Sequence, residues 1–366
     1  MNLNFQKLVQ QATLLTRSGH LQAATASIRA ALSGIPADKP GPTGANKAQD
    51  FIDIEARVLP EAKPEPLQPE PEVPADVGQR HQQSDQFIAG SHTEGASTLD
   101  YKLYVPPFRE GAALPLVVML HGCTQNPDDF ADGTGMNALA REHGFYVLYP
   151  AQSRHANSSG CWNWFKHNHQ SRGRGEAALL ASMTLAVIQQ HGIDSRRIYI
   201  AGLSAGGAMA AIVAAAYPEI FAAVGVHSGL AVGAAGNVAE ALAAMKSGAA
   251  DIKLASSSSA VPTIVFHGDQ DRTVHPRNGD QVSEQMMTAL HAGSEKSVQQ
   301  GNSNKGRRFT RTCHLKDDVK FAELWVLHGA GHAWSGGNAT GSYTDPSGPD
   351  ASSEMLRFFS EHVKSV

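Results

Sequence analysis

Residues 196–218, RRIYIAGLSAGGAMAAIVAAAYP, narrow the folds open to this chain more than any other segment. An apolar, β-branched run passes through Gly202-Leu203-Ser204-Ala205-Gly206 straight into an alanine-rich stretch of helical character. A chain that turns from strand to helix this sharply brings backbone against backbone. A side chain at 202 or 206 would collide with the neighbouring strand or helix, which is why glycine stands there. The serine at the centre is held in a strained conformation that lifts its hydroxyl above the sheet. The same turn aims the helix N-terminus, with its free N–H groups, at that hydroxyl.

The rest of the chain from about 86 repeats the pattern. TLDYKLYVP (98–106), LPLVVMLHG (114–122), GFYVLYP (144–150), FAAVGVHSG (221–229), VPTIVFHG (261–268) and AELWVLHGAGH (322–332) read as further strands. Several are apolar at consecutive positions, as strands are when helices cover both faces of a parallel sheet. MNALAREHG and EAALLASMTLAVIQQHG lie between them with helix-period apolar residues. This alternation predicts an α/β domain, a doubly wound and mostly parallel sheet, over 86–366. Reacting groups in such sheets sit at the carboxyl ends of the strands.

A serine hydroxyl is a weak nucleophile until a base takes its proton and a carboxylate fixes that base's tautomer. In α/β-hydrolases the chain order is serine, acid, histidine. Downstream of Ser204, one strand ends in Asp269 and Asp271, and a later one in His328 and His332. His332 follows Gly329-Ala330-Gly331, a loop that lets an imidazole reach across strand ends, whereas His328 sits at the strand terminus as a structural residue. Asp271 lies further out than Asp269, and its spacing to Val274 lets the carboxylate turn inward while the valine enters the core. Asp271 is therefore the expected acid and Asp269 the fallback. His267 and His275 read as structural or surface groups.

A tetrahedral intermediate needs donors already in place for its oxygen. One is the backbone N–H of Ala205, and the second is assigned to the N–H of Cys123 in the loop His121-Gly122-Cys123-Thr124-Gln125-Asn126. A cysteine nucleophile at 123 would leave Ser204 without a purpose. Trp162 and Asn163 in GCWNWF, and Trp334 two residues after His332, are the expected substrate contacts. Cys123, Cys161 and Cys313 are too few for a disulfide framework and lack zinc spacing. They read as buried thiols, with Cys123 and Cys161 the one pair placed to bridge in an oxidising compartment. No metal or organic cofactor is expected.

Upstream, residues 1–34 read as a pair of short amphipathic helices, an element suited to a granule or protein partner through residues 3–34. Residues 35–85 read as an unfolded, semi-rigid linker, with six prolines between Pro60 and Pro74 alternating with Glu, Lys and Gln. The N-terminus lacks a charged start followed by an unbroken apolar run, and no stretch is long and apolar enough to span a membrane. A cytoplasmic location is the default expectation, with leaderless export the alternative. The net charge of −4 offers no basic field for nucleic acid.

Taken together, LHGCTQNPDDFA, GCWNWF, GLSAGGAMA, VHSGL, VFHGDQDRTVHP, HGAGHAWSGG and GSYTDPSGPDASSEMLRFF make residues 98–362 resemble the polyhydroxybutyrate-depolymerase-like esterases, a group that includes feruloyl and acetylxylan esterases. The resemblance implies an α/β-hydrolase fold, a triad of Ser204, Asp271 and His332, an oxyanion hole at Cys123 and Ala205, and Trp334 lining the cleft. Hydrolysis of a hydroxyalkanoate polymer or its oligomers is the leading expectation, ahead of a feruloyl or acetyl ester of plant polysaccharide. A serine peptidase on the same fold and a granule-binding non-enzyme are the rivals. Members that attack extracellular polymer usually carry a secretion signal and often a separate binding domain, and neither is evident here.

Overall fold

The computed structural model describes residues 84–107, 113–250, 261–289, 295–316 and 319–365. The expected helical pair at 1–34 and nearly all of the expected linker at 35–85 lie outside these residues.

Four strands with no polar face form the middle of the sheet: β3 (Leu116–Leu120), β5 (Ile198–Leu203), β6 (Ala223–His227) and β7 (Thr263–Gly268). Every residue in them is buried, because helices cover both faces and water never meets the pleat. They are joined by β1 (Gln86–Glu94), β2 (Ser97–Val105), β4 (Tyr146–Ala151), β8 (Glu295–Asn302), β9 (Arg308–Lys316) and β10 (Val319–Leu327). The ten-stranded order is β1-β2-β4-β3-β5-β6-β7-β10-β9-β8. From β4 to β10 all pairs are parallel, while the outer pairs on both sides are antiparallel. The mostly parallel α/β sheet expected from the sequence is the architecture found.

Three strands were not legible as apolar runs. β1 (QFIAGSHTE), β8 (EKSVQQGN) and β9 (RFTRTCHLK) carry few consecutive apolar residues. β1 and β8 are the edge strands, each paired with a single neighbour, and β9 lies between β8 and β10; all three belong to the antiparallel margins of the sheet and stay partly solvated.

Seven α-helices are described: α1 (Pro127–Thr134), α2 (Met136–His143), α3 (Gly175–His191), α4 (Ala205–Ala216), α5 (Val238–Ser247), α6 (Arg277–Ala289) and α7 (Ala351–Ser360). Helices α3 and α4 contribute to the core on one face of the sheet, and α1, α2 and α7 to the core on the other. Helix α4 is buried from Ala205 through Ala214, and its small side chains let it lie close on the strands. Start signals are local and chemical. Asn126 accepts the Asp129 N–H ahead of Pro127 to open α1, and Asp350 accepts the Ser353 N–H to open α7. No helix among the described residues is long and apolar enough to cross a membrane.

On α7, Phe358 and Phe359 are fully buried, and the Phe359 ring stacks on Tyr199 of β5 at 4.9 Å between centroids. Replacing Phe359 by Ala should destabilise the domain by about 3–5 kcal/mol through lost burial and the cavity left behind. Denaturant unfolding measures this, and a loss well under ~1 kcal/mol would show that α7 is not part of the cooperative core.

Candidate active site

Strand β5 ends at Leu203, and Ser204 follows with φ 57° and ψ −118° as the N-cap of α4. That backbone conformation costs a serine roughly 1–3 kcal/mol. It persists because the surroundings fix it: the Ser204 N–H donates to the His227 carbonyl at 2.8 Å, and the Ser204 carbonyl accepts the Ala208 N–H at 2.9 Å. A Cβ on Gly202 would lie 2.4 Å from the Gly206 carbonyl carbon, and one on Gly206 would lie 2.0 Å from the Leu120 oxygen. No side chain fits at either position. The Ser204 side chain caps no backbone group of its helix, so the hydroxyl remains available.

His332 lies in the loop after β10, which folds over the end of β7 so closely that a Cβ on Gly268 would meet the Ala330 oxygen at 2.3 Å. Its Nδ1 is 2.6 Å from Asp271 Oδ2. The other carboxylate oxygen of Asp271 accepts the N–H groups of Thr273 and Val274, both at 2.9 Å, while Val274 enters the core. Burial alone would raise the Asp271 pKa, but the hydrogen bond from His332 and its neighbours outweigh it and hold the carboxyl below its usual range. An ionised Asp271 keeps the proton on His332 Nδ1 and leaves Nε2 to accept one. Among the described residues no hydrogen bond joins the Ser204 hydroxyl to His332. His227 holds Ser204 from behind. Its carbonyl accepts the Ser204 N–H, and its Nε2 accepts the Ser335 N–H at 3.0 Å. Serine–histidine contacts commonly tighten only when substrate is bound.

Asp269, the fallback acid, is engaged elsewhere. Its Oδ2 is 2.9 Å from His328 Nδ1, its Oδ1 accepts the Gly329 N–H at 2.7 Å, and His328 Nε2 meets the Thr310 hydroxyl at 2.9 Å. This second Asp–His pair ties the β7 loop to the β10 loop just beside the first. Sequence reasoning gave His328 a structural place but did not foresee its partner.

The loop after β3 approaches Ser204 from the other side. Gln125 Oε1 accepts the Gly122 N–H at 2.9 Å, and Thr124 takes φ 68°. The N–H groups of Cys123 and Ala205 have no hydrogen-bond partner among the described residues, as donors reserved for an oxyanion would. Cys123 is bonded to Cys161 in a disulfide, so the reading of these two as thiols is corrected; Cys313 is a buried free cysteine. Bridges of this kind belong to oxidising compartments and are rare in the cytosol, so the disulfide speaks against a cytoplasmic location.

The three expected substrate contacts are not where a substrate could reach them. Trp334 is 1% exposed, stacked on His227 at 5.0 Å, edge-on to Phe130, and donates its indole N–H to the Ser352 hydroxyl. Trp162 is fully buried and donates to the His121 carbonyl. Asn163, also buried, gives its backbone and side-chain N–H groups to Glu176. Each satisfies its polar atom inside the core, so all three are corrected to framework residues. Glu176, which also accepts from Gln152, anchors the loop carrying Cys161. In the sequence it looks like any acidic residue in a first helical turn.

Three imidazoles around the site are buried: His121, His227 and His267. Burial pushes the pKa of each below the ordinary histidine value of 6.5, furthest for His227. Below about pH 6.5 the unfolded chain takes up protons that the folded chain refuses, so stability present above that pH is lost as pH falls. The thermal midpoint should therefore be lower at about pH 5.5 than at about pH 7.5, a window above most carboxylate titration. A midpoint unchanged or rising over that interval would contradict the buried neutral imidazoles.

Residues 99–295 match the family described as Esterase PHB depolymerase. Among curated proteins, the chain is 37% identical over 185 residues to poly(3-hydroxyalkanoate) depolymerase C of Paucimonas lemoignei, covering 48% of this chain and 44% of that protein. It is 30% identical over 215 residues to acetylxylan esterase A of Talaromyces purpureogenus, covering 53% of this chain and 54% of that one. The matches thus span about half the length of these relatives. The solved structure of acetyl xylan esterase from Aspergillus awamori superposes with a TM-score of 0.59 at 20% identity, over 75% of this chain and 99% of that one. At that identity the likeness shows the fold, which is of the α/β-hydrolase type. With more than half of its length matched, the chain belongs to the Esterase PHB depolymerase family.

Proposed function

We propose that this chain hydrolyses carboxylic esters through an acyl-serine intermediate. The observation that carries the reading is the 2.6 Å Asp271–His332 hydrogen bond, set at the same edge of the sheet as the strained turn of Ser204. Ser204 Oγ attacks the ester carbonyl as His332 Nε2 takes its proton, and Asp271 stabilises the resulting imidazolium. The N–H groups of Cys123 and Ala205 receive the oxyanion. Collapse expels the alcohol, which takes the proton from His332. Water, deprotonated by the same imidazole, then releases the acid and frees Ser204.

For substrate, a hydroxyalkanoate polyester or its short oligomers comes first. The name of the 37%-identical depolymerase and the matching family support it. An acetyl ester of xylan or a feruloyl ester is the second reading, favoured by the acetylxylan esterase relatives. Offering the purified protein polyhydroxybutyrate, hydroxybutyrate oligomers, methyl ferulate and acetylated xylan side by side separates them. Turnover confined to the hydroxybutyrate compounds is the expected result, and turnover confined to acetylated xylan or ferulate would replace the first reading with the second.

Ser204→Ala should abolish labelling by a fluorophosphonate and lower kcat on p-nitrophenyl butyrate by roughly 10³-fold or more. Asp271→Asn should lower kcat by a comparable factor of about 10³ to 10⁴ while leaving KM close to wild type, because the wrong imidazole tautomer would face the serine. Labelling that survives Ser204→Ala, or an Asp271→Asn enzyme of full activity, would refute the mechanism.

A further inference from the structure

Four non-glycine residues among those described have positive φ: Thr124, Ser204, Ser228 and Tyr343. Ser204 is the expected nucleophile, Thr124 follows the Cys123 oxyanion donor, and Ser228 follows the His227 carbonyl that holds the Ser204 amide. All three belong to the site. Tyr343 is the one whose place the proposed mechanism leaves unexplained.

Its backbone is gripped from both sides. The Tyr343 carbonyl accepts the Trp334 N–H at 2.6 Å. The preceding residue, Ser342, donates its N–H and its hydroxyl to Asp129, and its carbonyl accepts from Gln125 Nε2 at 3.1 Å. Gln125 is the residue that also orients the oxyanion loop through Gly122. The Tyr343 hydroxyl in turn lies 3.2 Å from the Thr124 hydroxyl. A bulky aromatic with φ 52° is a genuine backbone outlier. Yet the residue that this strained, heavily bonded backbone carries is 47% exposed. Strain and anchoring that serve packing end in a buried side chain; here they end in an exposed tyrosine whose hydroxyl meets Thr124, next to Cys123.

We infer that Tyr343 is a specificity-determining residue whose ring contacts the substrate where it passes over the oxyanion loop. This rests on the esterase reading above. An exposed tyrosine held in one orientation offers a large apolar face at little further cost in side-chain entropy, and discrimination between esters that differ by a few methylenes is of the size such a face supplies.

The test compares kcat/KM of the full chain on two series: p-nitrophenyl acetate, butyrate and octanoate, and methyl, butyl and benzyl butyrate. Tyr343→Ala should change the ratio between the extremes of at least one series by about fivefold or more. Tyr343→Phe, which keeps the ring and loses only the bond to Thr124, should hold every ratio within about twofold of wild type. Tyr343→Gly relieves the positive φ, so it tests the missing ring in a chain whose backbone is less strained than the parent's. Fluorophosphonate labelling of Ser204 should proceed in all three variants. The inference is overturned if Ala and Gly keep the wild-type ratios in both series, or if Phe shifts them as far as Ala does. A wild-type chain that neither turns over any ester nor takes the label would instead refute the esterase reading itself.

Discussion

Helix α4 lies so close to the central strands that no side chain fits between them, and the geometry of the site follows from that contact. The Leu120 carbonyl occupies the space a Cβ at 206 would need, and the Gly206 backbone occupies the space a Cβ at 202 would need. Close approach brings the first N–H groups of α4 up to the carboxyl end of β3. Register then does the rest. Leu120 pairs with Gly202 across the parallel β3–β5 ladder. Cys123 and Ala205 each stand three residues beyond that pair, past the carboxyl ends of two adjacent strands.

The histidine side of the site is built by the same logic one step along the sheet. Leu327 pairs with Gly268 across β10 and β7, so Asp271 and His332 leave neighbouring strands and meet just above them. Keeping an ionised carboxylate in so buried a place needs donors, and Asp271 has three: His332 and the N–H groups of Thr273 and Val274. The neighbouring Asp269–His328 pair is separate from the Asp271–His332 pair, but it joins the same two loops and limits how far they can part. The buried imidazoles of His121, His227 and His267 each hold a backbone group: the Gln152 N–H, the Ser335 N–H and the Val274 carbonyl.

The parts legible in the sequence were those enforced by backbone geometry or by doubly covered strands. Gly202 and Gly206 announced the turn, runs such as LVVML and TIVFHG announced the central strands, and the reach of Asp271 beyond its strand announced the side chain that meets His332. What escaped were features with no local signature. The hairpin strands β8 and β9 are polar because an outer strand need not bury both faces. Trp162, Trp334 and Asn163 lie near the site in sequence, but proximity says nothing about which way a side chain points; each turns inward to satisfy a polar atom. Tyr343, almost 140 residues from Ser204, comes to the loop after β3 through Ser342, Gln125, Asp129 and its own hydroxyl's contact with Thr124, a set of partners that no spacing rule predicts.

The account stands on a covalent bond between the substrate's acyl group and Ser204 Oγ. Rapid acid quench during turnover of a slowly deacylating ester, followed by peptide mass spectrometry, reads that bond directly. The account predicts the acyl mass on the peptide that contains Ser204, appearing before steady state and vanishing as substrate is consumed. An acyl group found stably on a different residue, or sustained turnover with Ser204 never modified, would contradict it.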